Sequence, residues 1–247
     1  MKNIEQNLSA LRQHIAASAS KYGRPPESVH IIAVSKRQPA AAIRAAMAAG
    51  QRDFGENYLQ EAIPKIETLP ADLTWHFIGP LQSNKTRTVA EHFDWLHSLD
   101  RAKLARRLQE QRPDALPALN VCLQVNISAE TSKSGVDLAE LPNLAAAVAA
   151  LPRLRLRGLM ALPAPASDFE QQRRPFRALR EAFDSLNKVG FGLDTLSMGT
   201  STDMAAAIAE GATHVRIGTA IFGRRDPETP GKPDIHQGNH AGPATDC

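Results

Sequence analysis

Apolar residues recur at helical spacing at the start of the chain, where Ile4, Leu8, Leu11 and Ile15 share one face, and they predict an amphipathic helix over residues 3–20. Gly23 and the pair Pro25-Pro26 close it. From there short apolar runs alternate with helical patterns almost without interruption. Strands are expected at residues 29–34, 52–54, 74–78, 95–99, 119–127, 154–162, 195–198 and 214–217. Helices are expected at 39–49, 58–69 (with Pro64 inside it), 85–92, 101–111, 137–150, 169–188 and 202–209, and a short helical turn follows the last strand. Asp100 reads as the cap of the helix at 101–111, and Asp137 with Glu140 as a capping box for the one after it. Strict alternation calls for a parallel sheet. Eight such units in 247 residues match an α/β fold of one closed (β/α)8 barrel, here with an extra N-terminal helix. An open doubly wound sheet is the runner-up. Its glycine-rich phosphate turn is missing, because the first strand runs into Ser35-Lys36-Arg37-Gln38-Pro39.

Composition bounds the rest. Residues 1–226 are assigned to the barrel, and residues 227–247, with four prolines and three glycines, to a disordered tail. Hydrophobic residues make up 43% and aromatic residues 5%, so a core of Ala, Leu, Ile and Val is expected, without stacking platforms for single-stranded nucleic acid. The net charge of +3 implies no polyanionic partner. Arg101, Lys103, Arg106 and Arg107 read as a solvated helix face, while Arg155 and Arg157 read as ion-pair partners along a strand. Cys122, inside an apolar run, reads as a buried small hydrophobe, and Cys247 is terminal. His236 and His240 have metal-ligand spacing, but the prolines and glycines around them forbid the helix it needs. No run approaches the ~18 apolar residues of a membrane span. The N-terminus lacks an apolar signal segment, so a cytoplasmic protein is expected.

In such a barrel functional residues gather at the C-terminal ends of the strands. Lys36 follows Ile31-Ile32-Ala33-Val34, which places its ammonium at the rim of an apolar barrel. One reading is a lysine that snorkels to water. The other is a desolvated lysine whose neutral amine forms a Schiff base with an aldehyde. Pyridoxal 5'-phosphate (PLP) is the commonest aldehyde cofactor held that way. Barrels often bind phosphate in the loops after strands seven and eight. There Gly199-Thr200-Ser201-Thr202 offers hydroxyls and close backbone approach, and Gly218-Thr219 opens a helical turn. Helix capping by Ser201 or Thr202 uses the same geometry. Arg216 shares a strand face with Gly218. It is either the partner of a PLP pyridine nitrogen, which it would leave unprotonated, or half of an ion pair inside the barrel.

The segments Ala33-Val34-Ser35-Lys36, Phe54-Gly55-Glu56-Asn57-Tyr58, Trp75-His76-Phe77-Ile78-Gly79-Pro80-Leu81-Gln82-Ser83-Asn84-Lys85, Ser132-Lys133-Ser134-Gly135, Arg157-Gly158-Leu159-Met160 and Val215-Arg216-Ile217-Gly218-Thr219-Ala220-Ile221-Phe222-Gly223 resemble the YggS/PROSC family. Those are the pyridoxal phosphate homeostasis proteins, and the resemblance covers about residues 3–226. It implies a fold-type III PLP protein with a barrel like the N-terminal domain of alanine racemase. It further implies PLP held covalently on Lys36, its phosphate on Ser201, Gly218 and Thr219, with Thr202 in the same loop. Arg216 would face the pyridine nitrogen, and Asn57, His76, Met160 and Ser197 would line the ring. The family loop usually reads Ser-Met-Gly-Met-Ser; here Thr200 replaces the second methionine.

The resemblance implies a monomer that buffers and delivers PLP to apo-enzymes, with no catalytic residues. A PLP-dependent racemase-like enzyme is the alternative. A racemase needs acid–base groups on both faces of the cofactor, commonly a lysine and a tyrosine. This chain has two tyrosines, Tyr22 and Tyr58, and the residues after the barrel are too few for a racemase's second domain. The residues therefore favour carriage.

Overall fold

The computed structural model describes residues 3–128 and 134–223. The side chain of Asn3 accepts the Gln6 N–H and caps α1 (Ile4–Lys21), which buries the apolar face read from the sequence together with Ala19. The alternation follows as β1 (His30–Val34), α2 (Ala40–Ala48), β2 (Asp53–Glu56), α3 (Leu59–Thr68), β3 (Thr74–Phe77), α4 (Thr86–His92), β4 (Trp95–Leu99) and α5 (Ala102–Gln111). It continues as β5 (Leu119–Gln124), α6 (Leu141–Ala149), β6 (Leu154–Met160), α7 (Phe169–Lys188), β7 (Thr195–Ser197), α8 (Met204–Ala209), β8 (His214–Ile217) and α9 (Thr219–Phe222). The strands form a closed barrel in chain order, sealed where β1 pairs with β8 in parallel. The expected (β/α)8 architecture is what the chain adopts.

Several boundaries shift for local reasons. β5 stops at Gln124, and Val125 beyond it bridges Val136 while its N–H still donates to the Met160 carbonyl at 2.8 Å. The expected capping box does not form: the Asp137 carbonyl accepts the Glu140 N–H in a turn, which leaves Glu140 at the cap position of α6 with no side-chain bond to the helix N–H groups. Asp100 does not cap α5 either, since Arg101 takes that position and its Nε sits 3.1 Å from the Asp100 carboxylate. The segment 227–247, including His236, His240 and Cys247, lies outside the described residues, as do Ser132 and Lys133.

The larger correction concerns the barrel interior. Side chains alternate across a strand. Ile31 and Ala33 point out, into one apolar cluster shared with the helices, in which Phe54, Phe93, Phe176 and Phe222 are fully buried. The inward positions are largely polar or aromatic. His76 stacks on Trp95 at 5.5 Å between ring centroids, Trp95 on His97 at 5.6 Å, and His30 and His214 meet at 5.0 Å. Cys122 packs with Trp95 and Met160 in a separate buried cluster, as a small hydrophobe whose thiol is held protonated by burial. Arg157 lies 4.7 Å over Trp95 and forks onto Asp194 at 2.8–3.0 Å, the structural ion pair expected of it. The aliphatic core is thus a shell around the strands, and Lys36 does not emerge from an apolar barrel. Among the described residues no helix is long and apolar enough to cross a membrane, and no group of His, Cys, Asp and Glu is disposed to hold a metal.

Burial holds two of these imidazoles neutral. It pushes His97 well below its ordinary 6.5, with the charges of His76, His214 and Arg216 adding to the effect. It pushes His214 down to about 3, helped by His76 and His30. Both folded values lie below the unfolded one, so their contribution to stability is complete above pH 6.5 and is lost as the pH falls. Urea denaturation between pH ~6 and ~4 should therefore show stability falling by about 1.4 kcal/mol per pH unit for each histidine. His214→Gln should remove one histidine's share of that slope. A flat profile would contradict neutral burial.

Candidate functional site

The C-terminal ends of β1, β2, β3 and β8 open onto a cavity of about 310 Å³, at the small end of the ~300–1,000 Å³ range of ligand sites. Lys36 lines one wall. β1 ends at Val34, so Lys36 sits not on the strand but in a tight turn closed by the Gln38 N–H on the Ser35 carbonyl at 3.0 Å. In that turn Arg37 has φ 59, the one positive φ outside glycine among the described residues. The left-handed conformation costs about 1–2 kcal/mol for a residue with a Cβ. Three neighbours hold it. The Arg37 N–H donates to Glu61 at 2.7 Å, Lys65 Nζ donates to the Ser35 carbonyl at 2.9 Å, and both Lys65 and the Ser35 hydroxyl donate to Glu56 Oε1 at 2.7 and 2.6 Å.

Glu56 is fully buried and Lys65 nearly so, with side chains 0% and 10% exposed. Burial raises the Glu56 carboxyl above its usual range, although Lys65 and Ser35 pull it down, and its Oε2 has no partner among the described residues. Sequence reading passed over this pair. The available signal was Lys65 three residues after Ala62 and six after Leu59, on the buried face of α3.

Asn57 continues from β2 into the cavity wall, and its Oδ1 is buried without a partner among the described residues. Its backbone passes under the end of β3 so closely that a Cβ on Gly79 would lie 2.3 Å from the Asn57 carbonyl oxygen. Only glycine permits that crossing.

The opposite wall is the loop between β7 and α8. Gly199 has φ 96, and a Cβ there would meet Ala207 at 2.6 Å. The Thr200 N–H and hydroxyl both donate to Asp203 Oδ1, at 2.6 and 2.8 Å, which delays the start of α8 to Met204. Neither Ser201 nor Thr202 is the cap. Their N–H groups and the Ser201 hydroxyl have no intrachain partner among the described residues and line the cavity. Beside them Gly218 and Thr219 begin α9, whose first N–H groups have no intrahelical acceptor. α9 is tied down from behind by Asn7 Nδ2 on the Ile221 carbonyl at 2.9 Å.

Arg216 forms the floor and is 5% exposed. Its Nη1 donates to the Ser197 carbonyl and hydroxyl at 2.6 and 2.8 Å, and its Nη2 to the Ala161 carbonyl at 2.9 Å. These acceptors are neutral oxygens, so among the described residues Arg216 is not the half of an interior ion pair that one reading allowed. Burial pushes its pKa down to about 10, and it remains a cation at neutral pH. Lys36, Asn57, Ser201, Thr202, Arg216, Gly218 and Thr219 thus surround one cavity. His76, Met160 and Ser197 do not line it. They sit one layer deeper, with Met160 against Trp95 and Cys122, Ser197 beneath Arg216, and His76 bonded to Asp53 and His97.

Breaking a buried pair by removing one partner costs about 3–5 kcal/mol, because it strands a charge. Lys65→Met should show a loss of that size in urea denaturation, and the double variant Glu56→Gln/Lys65→Met should recover most of it. A loss under about 1 kcal/mol for the single variant would mean that the pair does not hold the Lys36 turn.

Comparison with known proteins agrees with this fold. The alanine racemase N-terminal domain family matches residues 3–226. The chain is 58% identical over 230 residues to the pyridoxal phosphate homeostasis protein of Escherichia coli K12, covering 92% of this chain and 98% of that protein. It is 59% identical over 227 residues to the protein of the same name from Pseudomonas aeruginosa, covering 92% and 97%. The solved structure of PipY from Synechococcus elongatus with PLP bound aligns with a TM-score of 0.77 at 42% identity, over 89% of this chain and 100% of that one. The barrel, the cavity at its C-terminal end and these similarities together make the chain a member of the YggS/PROSC family of pyridoxal phosphate homeostasis proteins.

Proposed function

We propose that the protein binds PLP in the Lys36 cavity and carries it without turning over a substrate. One observation supports this above the others: a single cavity brings an amine, a buried guanidinium and a cup of hydrogen-bond donors together. The donors suit a phosphate on one side, and the unpartnered Asn57 Oδ1 offers an acceptor on the other. When bound, PLP supplies an aldehyde that condenses with a lysine amine and releases water.

Lys36 is the attachment point on this reading. The Ser201 hydroxyl and the N–H groups of Ser201, Thr202 and Thr219 hold the phosphate, with Asp203 keeping the loop open by accepting from Thr200 instead. Arg216 donates to the pyridine nitrogen and leaves it unprotonated, which weakens the ring as an electron sink. The cavity wall supports carriage over catalysis. Among the described residues lining it, none is Tyr, His, Cys, Asp or Glu. Tyr58 lies outside, beside Arg37 at 6.0 Å. The recipients on this reading are cytoplasmic PLP-dependent apo-enzymes, supplied by a monomeric carrier.

PLP titration tests this. The wild-type protein should develop the visible absorption band of lysine-bound PLP. Lys36→Ala should lose the band and weaken binding at least about tenfold, equivalent to ~1.4 kcal/mol. Equal occupancy and an unchanged band in the alanine variant would remove Lys36 from its role. Turnover of D- or L-alanine by the PLP-loaded wild type would replace the carrier with an enzyme.

A further inference from the structure

Beneath Arg216 a hydrogen-bonded chain crosses the barrel interior. Asp53 Oδ1 lies 3.1 Å from His76 Nε2, His76 Nδ1 lies 2.9 Å from His97 Nε2, and His97 Nδ1 lies 2.8 Å from Ser197 Oγ. That oxygen then accepts from Arg216 Nη1 at 2.8 Å. The chain links β2, β3, β4, β7 and β8. It runs from the first residue of β2, where the Asp53 side chain is 36% exposed, to the cavity floor. His76, His97 and Ser197 are fully buried between these ends, and none of the three touches the cavity.

The chain has one consistent proton order when both rings are neutral. An ionised Asp53 only accepts, so His76 carries its proton on Nε2 and accepts on Nδ1. His97 must then donate from Nε2 and accept on Nδ1, where the Ser197 hydroxyl donates. The Ser197 lone pairs are thereby left for Arg216. Burial tends to raise the Asp53 carboxyl, but the His76 hydrogen bond and the charges of His76, His214 and His30 keep it below its usual value. A second proton on His76 reverses the order. His97 would then accept on Nε2 and donate from Nδ1, and the Ser197 hydroxyl proton would lose its buried acceptor.

We propose that His76 and His97 are positioning residues for Arg216, fixing the Ser197 hydroxyl against the guanidinium and transmitting the protonation state of the Asp53–His76 pair to the cavity floor. The inference rests on reading Arg216 as the group that faces the PLP pyridine nitrogen. The pair is faced by His30 from β1, His214 from β8 and Trp95 from β4, with Arg157 of β6 and its partner Asp194 beyond Trp95. On its inner side stand His97 and then Arg216.

Nitrogen-15 NMR of the histidine rings in the PLP-free protein at neutral pH tests the proton order without a mutation. Both His76 and His97 should appear as single Nε2–H tautomers, and a His97 carrying its proton on Nδ1 would overturn the proposal. PLP titration of Ser197→Ala and His76→Phe, with far-UV circular dichroism to check folding, tests the coupling. Ser197→Ala should weaken PLP about tenfold, the scale of one hydrogen bond to a charged group. His76→Phe should likewise weaken PLP binding, although His76 lies outside the cavity. If the wild type binds PLP, Lys36→Ala loses the band, and both interior variants bind and absorb like the wild type, the positioning chain is wrong and the PLP reading stands. If the wild type fails to bind PLP, that reading fails, and the tautomers still decide the chain.

Discussion

A guanidinium buried at the floor of a closed barrel, only 5% exposed, must find most of its solvation in the protein. Arg216 meets that constraint with carbonyl oxygens from the ends of β6 and β7 and one hydroxyl, and the rest of the interior is arranged around those acceptors. A parallel barrel is ordinarily packed with layers of branched aliphatic side chains. Here the inward positions beneath the arginine include a serine, several histidines and a tryptophan, closed at the far end by Asp53 and by Arg157 with Asp194. Neutral acceptors matter for the chemistry as well as for solvation. A carboxylate partner would absorb the positive charge, whereas these oxygens orient the cation and leave part of its donor fork for a ligand.

The wall opposite solves a different problem by similar means. A lysine that serves as an attachment point has to be presented in one place, and the Lys36 turn is held there at the cost of a left-handed Arg37. Glu61, Lys65, Glu56 and Ser35 over-determine that backbone. The buried Glu56–Lys65 pair links β2 to α3 and therefore ties the turn to the barrel wall rather than to solvent. Strand ends and short loops braced from behind hold a site more precisely than long loops do. Asn7 on α9 and Asp203 in the β7–α8 loop brace the third side in the same manner.

The architecture was legible because each strand's outward face and each helix's inward face belong to the same apolar shell. That shell writes itself into the sequence as runs and as helical periodicity. The cavity was legible in part for the same reason, since Lys36, Asn57, Arg216 and the two glycine-bearing loops lie at strand ends that the alternation locates. What was hidden depended on register across the barrel. His76, Met160 and Ser197 sit at strand ends in the sequence, but the stagger of neighbouring strands sets them a layer below the cavity, and one chain position does not reveal that stagger. Glu56 and Lys65 were hidden because their partnership crosses from a strand to a helix. The missed caps show a local motif losing to local alternatives, a turn at Asp137 and an ion pair with Arg101 at Asp100.

The central claim is that Lys36, poised above a buried arginine, is where PLP is held. The most direct measurement is borohydride reduction of the PLP-loaded native protein followed by peptide mapping. A single pyridoxyl label on the peptide that contains Lys36 is the predicted result. A label on another lysine, or none while PLP remains bound, would contradict the account.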